Sequence, residues 1–211
     1  MTAPTRSDRA RTRTIRVPWE LMYGGQRRGR ERLDGMRREA DYVFRHANGQ
    51  RAFTITCYRA RDGRKEMDVR RPLRYDKDDP GSRKSRPLAK LLYNLPRVIE
   101  AREAGEEIWL TEGLRDAENV KAQGKVATSV AWGALHWHDN YTRTLTGAHV
   151  VIVIDNDEPG RKRLEMVYEA LEPVARSLHV LRPPEGVKDV SDVLDSGGSL
   201  DDLVPIEVVE Q

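Results

Sequence analysis

His149-Val-Val-Ile-Val-Ile-Asp-Asn-Asp-Glu-Pro-Gly-Arg161 is the stretch whose reading decides the fold. Val150 to Ile154 are five consecutive apolar residues, the pattern of a central parallel strand buried on both faces. The run ends in two acids. Side chains alternate along a strand, so Asp155 and Asp157 are expected to point the same way as the chain leaves the sheet. Pro159 suits the first turn of a helix, and Leu164, Val167, Tyr168 and Leu171 give that helix an apolar face. Two carboxylates about 7 Å apart repel by roughly 2 to 3 kcal/mol at an effective dielectric near 20. A hard divalent cation would offset that repulsion; a solvated acidic turn after a core strand is the other account of the same residues.

Outward from this stretch, the composition sets limits. The chain has 211 residues, enough for one good-sized domain or a domain with a small companion. No apolar run approaches the length of a membrane span, and no charged start leads into an apolar signal core, so no membrane partner is expected. A single cysteine, Cys57, excludes an internal disulfide and a cysteine-rich zinc site. It sits in an alternating strand pattern, as a small core residue would. The net charge of +3 hides an asymmetry: residues 1–90 hold 25 Lys+Arg against 12 Asp+Glu, and residues 91–211 hold 12 against 22. A basic first part and an acidic second part suit a polyanion held by one and metal chemistry done in the other.

Three segments are expected. Residues 1–40 are arginine-rich and poor in apolar residues, a basic and flexible arm on which Trp19, Leu21 and Met22 could dock. Residues 41–90 form a small basic β-rich lobe. There Phe53, Ile55 and Cys57 alternate with Thr54, Thr56 and Tyr58, and Asn48-Gly49 and Asp62-Gly63 make hairpin turns in about three antiparallel strands. Arg59, Arg61, Arg64, Lys65, Arg70, Arg71 and Arg74 cluster along it, and the polar loop 75–86 ends at Arg86. Residues 91–211 alternate strand and helix four times, which means an α/β fold with a parallel sheet flanked by helices.

In such sheets ligands bind at the carboxyl ends of the strands. The strand Ile108–Thr111 ends in Glu112-Gly113, with Asp116 one turn on, and the last strand is followed by Lys188-Asp189-Val190-Ser191-Asp192. Acids therefore stand past three strand ends on one edge. Gly113 and Gly160 would let a phosphate approach the backbone closely. His136 and His138 flank Trp137 in a loop that reads as aromatic packing rather than a metal site.

Glu-Gly with a following Asp, an apolar strand ending Asp-x-Asp, and a later Lys-Asp-x-x-Asp together resemble the Toprim domain of bacterial primases, topoisomerases and some nucleases. Ile154 to Arg161, Lys188 to Leu194 and Leu92-Tyr93-Asn94-Leu95-Pro96 look closest to phage and mobile-element primases and primase-helicases. The resemblance covers about residues 40 to 200 and implies a Toprim-like α/β catalytic domain. It implies Glu112 as general base or metal ligand, Asp155 and Asp157 as the pair holding Mg²⁺ or Mn²⁺, and Asp116 and Asp189 as acids completing the cluster. It also implies single-stranded DNA and nucleoside triphosphates as partners, in the cytoplasm of a bacterial or phage-infected cell. Arg59, Arg64, Lys65, Arg70, Arg71, Arg86, Lys90, Arg97 and Arg161 are the candidate contacts to nucleic acid or phosphate.

The chain departs from that pattern in two places. It cannot build the cysteine-rich zinc module of such primases, and Gly124-Lys125 is followed by Val126 without the upstream glycine of a nucleotide-binding motor loop. A core of this kind would work with a separate helicase or zinc-module protein. Three functions stay open: a primase-like nucleotidyltransferase, a Toprim nuclease using the same acids to cut, and a non-catalytic nucleic-acid-binding adaptor. The catalytic readings require Glu112 to meet Asp155 and Asp157 in one cleft that no Lys or Arg fills.

Overall fold

A computed structural model of the chain describes residues 14–18, 33–72, 89–131 and 137–207. Trp19, Leu21, Met22, the loop 75–86 with Arg86, and Trp132, Gly133 and His136 lie outside the described residues. The chain divides into two compact units, one of residues 1–42 and 51–88 and one of residues 43–50 and 89–211.

Four strands, β1 (Thr14–Pro18), β2 (Arg37–Arg45), β3 (Arg51–Arg59) and β4 (Lys65–Pro72), form a sheet in the order β1-β4-β3-β2. About three strands were legible in the alternation. The fourth, β1, comes from the arginine-rich start, where Ile15 and Val17 alternate with Arg16 too briefly to stand out, and it pairs antiparallel with β4. The turn between β3 and β4 closes where Gly63 adopts φ 85°, a conformation a side chain would strain, while Asp62 accepts a hydrogen bond from the Arg64 amide at 2.9 Å.

In the second unit helix α1 (Leu95–Ala104) leads to β5 (Glu107–Thr111), α2 (Leu114–Ala122), β6 (Val126–Thr128), α3 (Asp139–Leu145), β7 (His149–Val153), α4 (Glu158–Leu171), β8 (Ser177–Arg182) and α5 (Val190–Asp195). A short strand β9 (Val204–Pro205) follows. The five strands lie in the order β6-β5-β7-β8-β9. β5, β6, β7 and β8 are parallel, as the alternation of elements predicts, and β9 adds an antiparallel edge. Ile108, Leu110, Val150 and Ile152 of the two central strands pack with Val98, Tyr141, Leu145, Val167 and Leu171 of the helices. Burying four such strand residues stabilises the unit by several kcal/mol, at about 1.5 to 3 kcal/mol per large apolar side chain. Among the described residues, no helix is long and apolar enough to cross a membrane.

Candidate active site

β5 and β7 are hydrogen-bonded neighbours with Thr111 opposite Val153, so the chain leaves both strands at one level. Glu112 and Asp155 are thereby brought side by side. After β5 the chain turns to β6 on one flank, then returns across to β7 on the other, so this exit is where the strand order reverses and a crevice opens. Ser129 fixes the Glu112 backbone by donating to its carbonyl at 2.9 Å. On the other flank Asn156 donates from its backbone amide to the Lys188 carbonyl at 2.8 Å, which brings Asp189 to the same edge.

The five acids do different things. Asp157 caps α4, accepting from the Gly160 amide at 2.9 Å, and Asp189 caps α5, accepting from the Asp192 amide at 2.8 Å. Asp116, only 6% exposed, accepts from the Ser191 hydroxyl and ties α2 to α5; burial pushes its pKa up. Neither Glu112 nor Asp155 caps a helix; Glu112 accepts a hydrogen bond from the Asp155 backbone and faces Arg163. Burial also raises the Glu112 pKa, with Arg163 opposing, and its Oε2 is buried without a hydrogen-bond partner. Asp155 is pushed up to about 8, by burial first and then by Glu112, Asp116, Asp189 and Asp157. All five acids therefore share one field.

Among the described residues, no three His, Cys, Asp or Glu side chains stand ready as a set to hold a metal ion. The chemistry of the donors nevertheless fits a hard cation. All are carboxylate oxygens, one is an orphaned buried oxygen, and the mutual repulsion at Asp155 is what a divalent charge would relieve. The space is also shared with a cation absent from the sequence reading. Arg163, on α4 and 3% exposed, donates to the Thr111 carbonyl at 2.8 Å and sits 4.0 Å from Glu112 Oε2. The requirement that no Lys or Arg enter the cleft is thus met only in part. Its signal was the stripe Gly160, Arg163, Val167 and Leu171, which is the buried face of α4.

On the side where a Cβ would stand, both glycines face protein atoms. A Cβ on Gly160 would stand 2.5 Å from the Asp155 carbonyl oxygen, so the bare backbone is what lets α4 start against the strand end. A Cβ on Gly113 would meet the Asp116 carboxylate. Gly160→Ala is expected to destabilise the protein by about 1 to 3 kcal/mol, because backbone must move to admit the methyl. Urea unfolding would check this, and a midpoint equal to that of wild type would mean that the approach is not tight.

The basic residues are less free than their number suggests. Arg59 pairs with Glu39, Arg64 lies 3.3 Å from Glu66, and Arg70 lies 3.5 Å from Asp68 while donating to the Tyr58 hydroxyl at 2.6 Å. Arg97 pairs with Glu106 at 2.5 Å, and Arg161 with Glu158 at 3.3 Å on the surface of α4. Lys65 makes no ion pair among the described residues, and Arg71 is placed only as a position on β4. Lys90 lines a cavity of about 370 Å³ between α1 and α3, together with Arg102 and Arg143. The burial of Cys57 pushes its thiol up to about 11, so it is no nucleophile. His138 and Trp137 each meet the Tyr141 ring edge-on, while His136 lies outside the described residues.

No protein-family model matches the sequence, and no curated protein matches it. Solved structures do match. A DNA primase domain from Pseudomonas aeruginosa aligns at 17% identity and a TM-score of 0.55, over 89% of this chain and 64% of that one. The E. coli primase catalytic core aligns at 16% and 0.54, over 78% and 52%. A DnaG primase catalytic domain bound to single-stranded DNA aligns at 14% and 0.52, over 90% and 66%. The chain has the fold of primase catalytic cores and spans between half and two thirds of the length of these three.

Proposed function

We propose that this chain is a primase-like nucleotidyltransferase core of the Toprim type, which joins nucleotides on a single-stranded DNA template with the help of Mg²⁺ or Mn²⁺. The observation that carries the reading is Glu112 beside Asp155 at the reversal point of a primase-core fold, with Glu112 Oε2 buried and without a hydrogen-bond partner. Asp155 and Asp157 would hold the ion, with Asp189 and Asp116 completing the field around it. A divalent ion held there would supply the positive charge that phosphoryl transfer needs. Glu112, with its pKa raised by burial, is suited to accept the proton of the attacking hydroxyl at an oxygen that nothing else occupies. Transfer of this kind needs no covalent nucleophile. Among the described candidates, Lys65 and Lys90 make no ion pair and would meet template or triphosphate, and a separate helicase or zinc-module protein would supply loading and template reading.

The test is incubation with single-stranded DNA, labelled nucleoside triphosphates and Mg²⁺ or Mn²⁺. Wild type should yield metal-dependent oligonucleotides and Glu112→Gln should not. Equal product from both would sink the assignment. Metal-dependent fragments from end-labelled DNA or RNA, without nucleotides, would instead make the same acids those of a nuclease.

A further inference from the structure

Among the described residues, three cations and no carboxylate line the cavity of about 370 Å³ between α1 and α3. The cations are Lys90, Arg102 and Arg143, and Leu91, Leu95 and Ile99 form an apolar wall beside them. The Arg102 side chain is only 28% exposed, and its Nη1 donates to the Thr144 carbonyl at 3.0 Å, tying one helix to the other. Arg143 donates to the neutral Asn140 side chain. The single ion pair that any of the three makes among the described residues is Arg102 with the largely exposed Glu103, at 3.6 Å. Positive charges grouped in this way repel one another, and an anion between them relieves the repulsion. A cation in the last turn of each helix also complements its dipole. That accounts for Arg102 and Arg143 but not for Lys90, which precedes α1.

The place of the cavity sets it apart from the acids. Arg102 and Arg143 belong to the last turns of α1 and α3, shortly before β5 and β7 begin, whereas the acid cluster lies past the ends of those strands. From Glu107 to Glu112 the strand rises about 16 Å. A phosphate on these two guanidiniums is therefore remote from the acids.

We propose that this cavity is a second anion site, which holds the oligophosphate of a nucleotide without reacting it. Arginine forks match phosphate oxygens, and the volume falls within the roughly 300 to 1,000 Å³ of small-molecule sites. The apolar wall suits a sugar or base. Sites for single-stranded nucleic acid stack bases on aromatic rings, and none lines this cavity among the described residues. The proposal narrows what Lys90 meets, from template or triphosphate to a triphosphate, and it stands without the metal reading.

Calorimetric titration of the full chain in EDTA, which keeps metal-held nucleotide out of the acid cluster, tests the site. The probes are inorganic triphosphate, ATP and an oligothymidylate without terminal phosphates. Wild type should bind the first two, ATP the more tightly. Arg143→Gln and Lys90→Gln should each weaken both about tenfold, and Arg143→Lys, which keeps the charge, should recover most of the loss. Should one of the two neutral variants not fold by circular dichroism, the other is read alone. No binding of either phosphate, or binding that the neutral variants leave unchanged, would overturn the proposal. So would ATP held no more tightly than triphosphate, or an affinity for oligothymidylate that falls in Arg143→Gln while that for ATP does not. Each of these failures leaves the metal-dependent joining of nucleotides untouched.

Discussion

Asp155→Asn is expected to raise the melting temperature of the metal-free protein at pH 8 while removing metal-dependent nucleotide joining. The two effects have one cause. Asp155 is pushed from the ordinary 3.8 to about 8, so between those values the folded chain holds a proton that the unfolded chain has released. Stability then falls as pH rises through that window, and the full cost is felt above pH 8. A displacement of that size would correspond to about 6 kcal/mol at most; for a half-buried, screened group on the order of 2 kcal/mol is the better expectation. The neutral amide escapes that cost, so the variant should melt roughly 4 to 8 °C higher at pH 8 and show little advantage at pH 4. Mg²⁺ should stabilise wild type by displacing the proton and leave the variant almost unmoved. Joining should fall about a thousandfold or more, since several kcal/mol of charge stabilisation is lost with the ion. Calorimetric melts across pH 4 to 8, with and without Mg²⁺, check the first part. A variant less stable than wild type at pH 8 without metal would show that Asp155 is not held under repulsion.

How much of this was legible beforehand depends on the range over which each feature is written. The strand, the two acids and the helix start lie within thirteen residues and could be read locally. Glu112 could be placed on the right edge of the sheet, because strand and helix alternate and acids follow strand ends. Its adjacency to Asp155 needed the order β6-β5-β7, which no local pattern carries. Asp157 and Asp189 were read as metal acids although each also stands where a helix N-cap belongs, three residues before the amide it accepts from. The apolar face of α4 was read from Leu164, Val167, Tyr168 and Leu171; Val167 and Leu171 are buried beside Arg163, but an apolar pattern does not count an arginine. The arginines of the first unit could be counted from sequence. The pairing of Arg59 with Glu39 depends on how the strands meet, whereas Arg64 with Glu66 and Arg70 with Asp68 stand two residues apart on one face and could be read locally.

The residue between the two acids makes the last test. Three backbone carbonyls, of Pro183, Pro184 and Val187, converge on the Asn156 side-chain nitrogen at 3.0, 2.9 and 2.7 Å. Carbonyls only accept, so the donor end of the amide must face them, and its two N–H groups are shared among three oxygens. This one side chain folds the segment after β8 back onto the end of β7 and so delivers Asp189 to the cluster. Asn156→Asp should therefore destabilise the protein by about 3 kcal/mol or more at pH 8, since a carboxylate would face three carbonyl oxygens with nothing to donate. At low pH the introduced carboxyl gains a proton and can donate one hydrogen bond, so the deficit should shrink as pH falls. Asn156→Ala, which loses the donors without adding charge, should cost only about 1 to 2 kcal/mol and show no such pH dependence. Urea unfolding of the three proteins at pH 8 and pH 5 separates these outcomes. Equal deficits for both variants at both pH values would mean that the loop is held elsewhere, and that Asp189 reaches the acid cluster without help from the residue between Asp155 and Asp157.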